Sequence, residues 1–444
     1  MKSQLIINAK VVNEGKTIFA DIRITNQYIE RIAPKILVTE NDDVIDAQGA
    51  LLLPGMIDDQ VHFREPGLTH KGSILTESRA AVAGGITSYM EMPNVTPATT
   101  NKAALEKKYA IAQQHSYANY SFYLGATQHN LDDIKGLDPT KVCGVKVFMG
   151  ASTGNLLVED PKALEGIFRE CPVLIVTHCE DGKIISKNNQ HYEQKGIVPN
   201  ITDHPKIRDA EACYASSSYA VSLAKKYNAQ LHVLHITTEK ELSLFTAGNI
   251  TDKHITAEAC VHHLWFSEQD YPALGNLIKC NPAIKAKTDR DALLNAVKNN
   301  QIDIIATDHA PHTWQEKQVN YIDAPAGLPL VEHALLSLLE HVQQNKLSIE
   351  QIVEKTAHNP ALRFQINKRG FIREGYYADL VLISLNQSTH VTHNSSRYLC
   401  GWTPFDGVEF SSKILSTWVN GERIFDGETV TKSQSAAMPL VFNR

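Results

Sequence analysis

Eight short apolar runs, each followed by a stretch of helical character, do most to limit what this chain can fold into. They fall near residues 56–62, 86–91, 119–125, 142–148, 172–178, 231–236, 254–258 and 303–307 of the 444-residue sequence. Apolar runs alternating with helix-like segments are the pattern of β/α units around a parallel sheet. Eight such units predict an eight-fold β/α barrel, in which catalytic groups sit at the C-terminal ends of the strands. The rhythm differs at the two ends of the chain. Residues 1–53 carry β-like runs such as Leu5-Ile6-Ile7, Ile22-Arg23-Ile24 and Ile29-Glu30-Arg31-Ile32 with turn residues between them. A similar rhythm returns in 363–444, at Gly370-Phe371-Ile372, Ala378-Asp379-Leu380-Val381-Leu382-Ile383 and Ile414-Leu415-Ser416-Thr417-Trp418-Val419-Asn420-Gly421. The expected organisation is therefore a barrel over 54–362 and one small β domain shared by the two ends. There is no internal repeat and no low-complexity segment.

The bulk numbers exclude several classes of function. A net charge of -6 and a pI near 6.3 leave no basic face for nucleic acid and no polybasic signal for a membrane surface. The start, Met1-Lys2-Ser3-Gln4-Leu5-Ile6-Ile7-Asn8, turns polar too soon for a secretory segment, and no apolar run is long enough to span a bilayer. A cytoplasmic location is expected. The 7 cysteines include no CxxC pair, which argues against a disulfide framework and against a thiolate zinc site. With 19 histidines, an imidazole-based metal site is permitted without being required.

The polar residues at the ends of the apolar runs carry the functional argument. Alternation along Pro54-Gly55-Met56-Ile57-Asp58-Asp59-Gln60-Val61-His62-Phe63-Arg64 puts Gln60, His62 and Arg64 on one face, so an amide, an imidazole and a guanidinium line up beside one another. Taken alone, this is equally a strand end whose polar groups reach water. The fourth run, Gly144-Val145-Lys146-Val147-Phe148-Met149, places a lysine in an apolar strand. An ammonium there is expensive to bury unpaired, so Lys146 must be neutral, paired or chemically altered. The fifth run ends in His178, the sixth in His232-Val233-Leu234-His235, and the eighth in Asp308-His309-Ala310-Pro311-His312. Any one of these histidines is more often a satisfied structural group than a ligand. Their joint placement at the ends of four apolar runs points to a metal beside an anion pocket.

Over nearly its full length the chain resembles the dihydroorotases of the amidohydrolase superfamily. The motifs that carry the resemblance are Arg64-Glu65-Pro66-Gly67, Gly84-Gly85-Ile86-Thr87 with Met92-Pro93-Asn94, His178-Cys179-Glu180-Asp181, Asp308-His309-Ala310-Pro311-His312 and Gly401-Trp402-Thr403-Pro404-Phe405. The resemblance implies an α/β fold, a distorted (β/α)8 TIM-type barrel with a small β-sandwich domain built from both termini. It implies one or two zinc ions bridged by a carboxylated Lys146. His178 and His235 would hold the more exposed ion, and His62 with Asp308 the more buried one. Imidazole and carboxylate ligands suit zinc. The chain departs from the family at Gln60, where a histidine is usual. An amide oxygen is the weaker donor, so Gln60 is expected either as a poor ligand or as a hydrogen-bonding partner outside the metal's own ligands.

The activity implied is the reversible cyclisation of N-carbamoyl-L-aspartate to L-dihydroorotate, in pyrimidine biosynthesis. A metal lowers the pKa of bound water to about 7, and Asp308 would shuttle the proton to the departing ring nitrogen. The substrate is an anion and needs a carboxylate clamp. Arg64 can offer a bidentate fork, and Asn94 and His312 match the family's other carboxylate contacts, although Asn94 is also a plausible turn residue and His312 a plausible cap. Asn281, Ala326 and Gly327 sit where the family contacts the pyrimidine ring. The segment Gly150-Ala151-Ser152-Thr153-Gly154-Asn155 reads as a lid, with Thr153 touching the ligand, or equally as a surface turn. His262-His263 is read as structural or as an outer shell, because neighbours on an extended segment point opposite ways. A homodimer is the family-level expectation. Two rival readings stand beside this one. Dihydropyrimidinases, hydantoinases and allantoinases share the metal cage, but their neutral rings have no carboxylate for Arg64. A catalytically silent homologue, acting as a structural partner of aspartate transcarbamoylase, would explain the loss at Gln60 but not the retention of Lys146, His178, His235 and Asp308.

Overall fold

A computed structural model of the chain describes residues 3–150, 156–431 and 436–444. All eight expected barrel strands are present. They are β1 (Met56–Val61), β2 (Ile86–Glu91), β3 (Asn119–Phe122, continued by Leu124–Gly125), β4 (Val145–Met149), β5 (Ile175–Cys179), β6 (Leu231–Val233), β7 (Ile255–Cys260) and β8 (Ile304–Ala306). Neighbours pair in parallel, as β/α connectivity requires. The ring is distorted at two places. At Tyr123 the third strand changes partner, so that 119–122 pairs with β2 and 124–125 with β4. Between β8 and β1, side chains replace much of the ladder. Thr307 donates its backbone N–H (3.1 Å) and its hydroxyl (2.6 Å) to the Asp58 carboxylate, and His62 N donates to His309 O at 2.7 Å.

The strands are apolar on both faces because helices cover the outside and packed side chains fill the inside. The helix Ile74–Ala83 shows how such a cover is set. Ser73 caps it by accepting from Thr76 N, and its inward face buries Ile74, Ala80, Ala81 and Val82. That face also carries the buried Glu77, whose Oε2 lies 2.9 Å from His309 Nε2, while Leu330 N donates to His309 Nδ1 at 2.9 Å. His309 is thereby fixed with its proton on Nε2, and the chain beside Asp308 is fixed with it.

The two ends of the chain meet in one mostly antiparallel sheet. Its path runs Glu422–Phe425, Lys413–Val419, Leu380–Ser384, Leu51–Pro54, Ser3–Asn13, Lys16–Thr25, Tyr28–Ala33, with Asp42–Asp46 pairing Ser3–Asn13. Leu5, Leu52 and Leu380 are fully buried, and Ile6, Ile22, Ile24, Leu52, Leu380 and Trp418 pack into a core of their own. The hairpin at Asn420-Gly421 is a two-residue turn with positive φ at both positions, 48° and 80°, the geometry that favours Asn-Gly. A Cβ on Gly421 would stand 2.2 Å from Asn26 O, so no side chain fits there. Among the described residues no helix is long and apolar enough to cross a membrane.

Candidate active site

At the C-terminal ends of the barrel strands lies a cavity of about 440 Å³, lined by Gln60, His62, Arg64, Asn94, Lys146, His178, His235, Asn281, Asp308, His312, Ala326 and Gly327. Every residue singled out from the sequence as a ligand or substrate contact is in that lining except Thr153, which lies, with the rest of 151–155, outside the described residues. Phe148, Gly150, Leu157, Arg208, Ala310 and Pro325 complete it. Lys146 and His178 project from within β4 and β5, whereas His62, Arg64, His235 and Asp308 follow the last residues of β1, β6 and β8. Three of these four turn inward through a left-handed backbone: Arg64 at φ 70°, His235 at 39° and Asp308 at 50°. A non-glycine residue in that region costs about 1–3 kcal/mol and persists where the surroundings over-determine it. Close packing after β4 is equally demanding, since a Cβ on Gly150 (φ +117°) would lie 1.3 Å from Glu180 O.

On one side of the cavity His62 Nε2 lies 3.1 Å from Asp308 Oδ1, and Gln60 Nε2 donates to the same oxygen at 3.2 Å. The amide oxygen of Gln60 faces away, 3.7 Å from Cys260 Sγ. In this structure Gln60 thus serves Asp308 as a hydrogen-bond donor. Burial pushes His62 down to about 4 in spite of Asp308. Burial would raise Asp308, but the hydrogen bond and charge of His62, with the charges of His262 and Lys146, leave it below the ordinary carboxylate value.

On the other side His178 Nδ1 stands 3.0 Å from His235 Nε2. His178 Nε2 lies 3.0 Å from Glu180 Oε2, which also accepts from Arg208 Nη1 at 2.5 Å. Glu180 is held well below the usual carboxylate range, because Arg208 and His178 together outweigh burial. With its Nε2 proton on Glu180, His178 turns a lone pair toward His235. His235 is kept neutral, well below the imidazole value, by burial and by the neighbouring His178 and Lys146. Its backbone N–H donates to Glu258 Oε1 at 2.9 Å.

Lys146 lies between the two sides and its charge acts on His62, Asp308 and His235. Burial brings its amine down to about 8, and its Nζ sits 4.8 Å from the centre of the Phe148 ring. Converging lone pairs of imidazole and carboxylate are the donor set of a zinc-type metal. The buried Nδ1 of His62, with no hydrogen-bond partner, fits the same purpose. Where ligand atoms of three His, Cys, Asp or Glu side chains come within 4.8 Å of one another, however, the described groups are Asp59, His232 and Glu258, and Cys260, His262 and His263. The expected cage is not among them: with Lys146 as a plain amine it stays in two halves.

The third wall is cationic. Arg64 Nε donates to Pro311 O at 3.0 Å and its Nη2 lies 3.0 Å from His312 Nε2. Burial lowers Arg64 to about 10, which leaves it charged. His312 Nε2 reaches Ala326 O at 3.0 Å, and Lys71 Nζ sits 3.1 Å from His312 Nδ1. Burial, then Arg64, hold His312 neutral, at about 3. The Oδ1 atoms of Asn94 and Asn281 are buried without hydrogen-bond partners, as acceptors awaiting a ligand would be.

Two features differ from the sequence reading or escaped it. His262 and His263 belong to a short helix, Val261–Trp265, and their rings lie 4.0 Å apart instead of pointing opposite ways; neither lines the cavity. Glu180 was visible only as part of a motif, and its partner Arg208, 28 residues on, gave no signal of its own. An acid two residues after a strand-end histidine is the cue that could have prompted a search for a cation.

The sequence profile described as the amidohydrolase family matches residues 51–424. The chain belongs to that family, and it is a hydrolase acting on cyclic amides. Curated relatives named dihydroorotase are similar to it over nearly their full length. That of Methanosphaera stadtmanae is 31% identical over 438 residues, covering 98% of this chain and 99% of the relative. That of Bacillus subtilis is 30% identical, covering 97% and 100%. Among solved structures, the L-hydantoinase (dihydropyrimidinase) of Arthrobacter aurescens superposes with a TM-score of 0.94 at 25% identity, over 99% of this chain and all (100%) of that one. A dihydropyrimidinase from Brevibacillus agri, at 22% identity and TM-score 0.89 over 100% of both chains, shares the fold.

Proposed function

We propose that this cyclic amide hydrolase is a zinc-dependent dihydroorotase, interconverting L-dihydroorotate and N-carbamoyl-L-aspartate. The observation that carries the reading is the buried, charged Arg64 facing the same cavity as His62, Lys146, His178, His235 and Asp308. A guanidinium desolvated to that degree calls for an anion, and its planar fork matches a carboxylate.

In this reading Arg64 binds the substrate carboxylate, supported by Asn94 and His312, while the unpartnered Oδ1 of Asn281 accepts a ring N–H. Ala326 and Gly327 close over the ring, and Thr153 is the further contact expected. Zinc, held by His62, His178, His235, Asp308 and a carboxylated Lys146, would polarise the scissile carbonyl and make water a nucleophile at neutral pH. The amine of Lys146, lowered to about 8 by burial, has an accessible uncharged form with which to take up carbon dioxide. As a carbamate it supplies the anionic oxygens that the two halves of the cage lack. Asp308, held ionised by His62, takes the proton from the attacking water and returns it to the departing ring nitrogen. Gln60 holds Asp308 in line through its amide N–H.

The likeness to L-hydantoinase favours a second reading, a hydrolase of neutral cyclic amides, against which Arg64 argues. A silent partner of aspartate transcarbamoylase is disfavoured because the proton shuttle, the lysine and the clamp all remain. The test is incubation of zinc-supplied protein with L-dihydroorotate, with the ring-opened product followed by chromatography. Formation of N-carbamoyl-L-aspartate is expected. Folded, zinc-loaded protein that opens hydantoin but not dihydroorotate would transfer the assignment to the second reading, and protein that opens neither would point to the silent partner.

A further inference from the structure

Away from the cavity lining, three fully buried side chains converge inside the barrel: Asp59 on β1, His232 on β6 and Glu258 on β7. His232 Nε2 stands 3.2 Å from Asp59 Oδ2 and 3.6 Å from Glu258 Oε2. Neither these three atoms nor Asp59 Oδ1 has a hydrogen-bond partner. A slip in the β1–β2 register between Asp58 and Val61 accompanies the inward placement of Asp59 next to the inward Gln60.

The remaining polar atoms of the cluster are pinned, and the pinning fixes which way it faces. His232 Nδ1 lies 2.7 Å from Thr256 Oγ1, and that hydroxyl donates onward to Leu231 O at 3.4 Å. The threonine therefore accepts the Nδ1 proton, and Nε2 faces the two carboxylates. Burial would lower the ring, but the adjoining Asp59 and Glu258 carboxylates raise it to about 9 while no metal is bound. Glu258 Oε1 is occupied by His235 N at 2.9 Å and Cys260 Sγ at 3.4 Å, which leaves Oε2 for the cluster. The Tyr123 hydroxyl holds Asp59 by its backbone oxygen at 2.8 Å. One imidazole nitrogen and two carboxylates thus converge in a dry interior, where a divalent cation taking the place of the Nε2 proton neutralises both carboxylates. Ligands about 2.0–2.1 Å from a tetrahedral zinc stand about 3.3–3.4 Å from one another, and the separations here, 3.2 and 3.6 Å, bracket that spacing. Two carboxylates balance one divalent charge. A metal-bound imidazole commonly donates its other N–H to a fixed acceptor, as His232 does to Thr256.

We propose that Asp59, His232 and Glu258 form a buried zinc site, distinct from the cavity, which braces Glu258 and through it the backbone of the left-handed His235. The site is closed, with the partnerless Asp59 Oδ1 as its fourth donor. The proposal does not depend on which ring the enzyme opens. The test uses the full chain crystallised with zinc, with anomalous difference maps recorded on both sides of the zinc edge. A peak within bonding distance of Asp59, His232 Nε2 and Glu258 Oε2 is expected, read separately from any peak in the cavity. In solution, Asp59→Asn should lower bound zinc by about one ion per chain, because a buried site loses its metal with its ligand. An absent peak between these residues would overturn the proposal and leave His232 as an imidazolium between two carboxylates. Should Asp59→Asn fail to fold, the map of the unaltered chain still decides.

Discussion

On one side of the cavity His178 and His235 present two imidazoles, the first backed at its ring Nε2 by the buried Glu180 and the second held by Glu258 through its backbone N–H. On the other, His62 shares Asp308 with an amide, and the Nδ1 of His62 has no partner. Under the proposed function the first side supplies metal donors, with the His178 ring oriented from behind by Glu180. Under the same reading the second handles the proton, with the Gln60 amide donating to Asp308. With that function the two sides divide the labour: metal affinity would rest chiefly on the His178 side, and proton transfer on the Asp308 side.

Changes on the two sides should therefore separate turnover from metal content. Asp308→Asn removes the proton acceptor and should lower kcat by about 10²–10⁴-fold, measured by steady-state ring opening. Zinc content should fall much less, and near-normal turnover would refute the shuttle role. Arg64→Met leaves a bound carboxylate unpaired. That loss is worth about 2–5 kcal/mol, and tenfold corresponds to about 1.4 kcal/mol. KM for dihydroorotate should rise about 30-fold or more, with the melting temperature little changed. Glu180→Gln frees the Nε2 side of His178 and should weaken zinc binding about 10–100-fold, seen by competition with a chelator, while the pH dependence of the Asp308 step stays in place. The smallest effect is expected for Gln60→His, which adds a third imidazole to the weaker side. Zinc affinity should rise several-fold, and an unchanged affinity would show that the native side is not limited by its amide.

Much of this architecture was legible because periodicity is local. Each barrel strand announced itself as an apolar run, and His178 at the end of β5, with His62, His235 and Asp308 just beyond their strands, lay where strand ends must open on a cavity. What was not legible depends on contacts between distant segments. The pairing of Glu180 with Arg208 joins the end of β5 to a later loop. Asp59 read as one polar residue among several, and only the fold brings His232 and Glu258 to face it. The change of partner at Tyr123 leaves no mark in an apolar run read as continuous from 119 to 125. The opposite orientation expected of His262-His263 does not hold, because the strand was taken to continue, whereas the chain enters a helix at Val261.

The central claim is that Arg64 turns a cyclic amide cavity into one selective for an anionic ring. It is tested most directly by the ratio of kcat/KM for L-dihydroorotate to that for dihydrouracil, which lacks the carboxylate. The account predicts a ratio of about 10³ or more, collapsing in Arg64→Met. Comparable values for the two rings in the unaltered enzyme would contradict it.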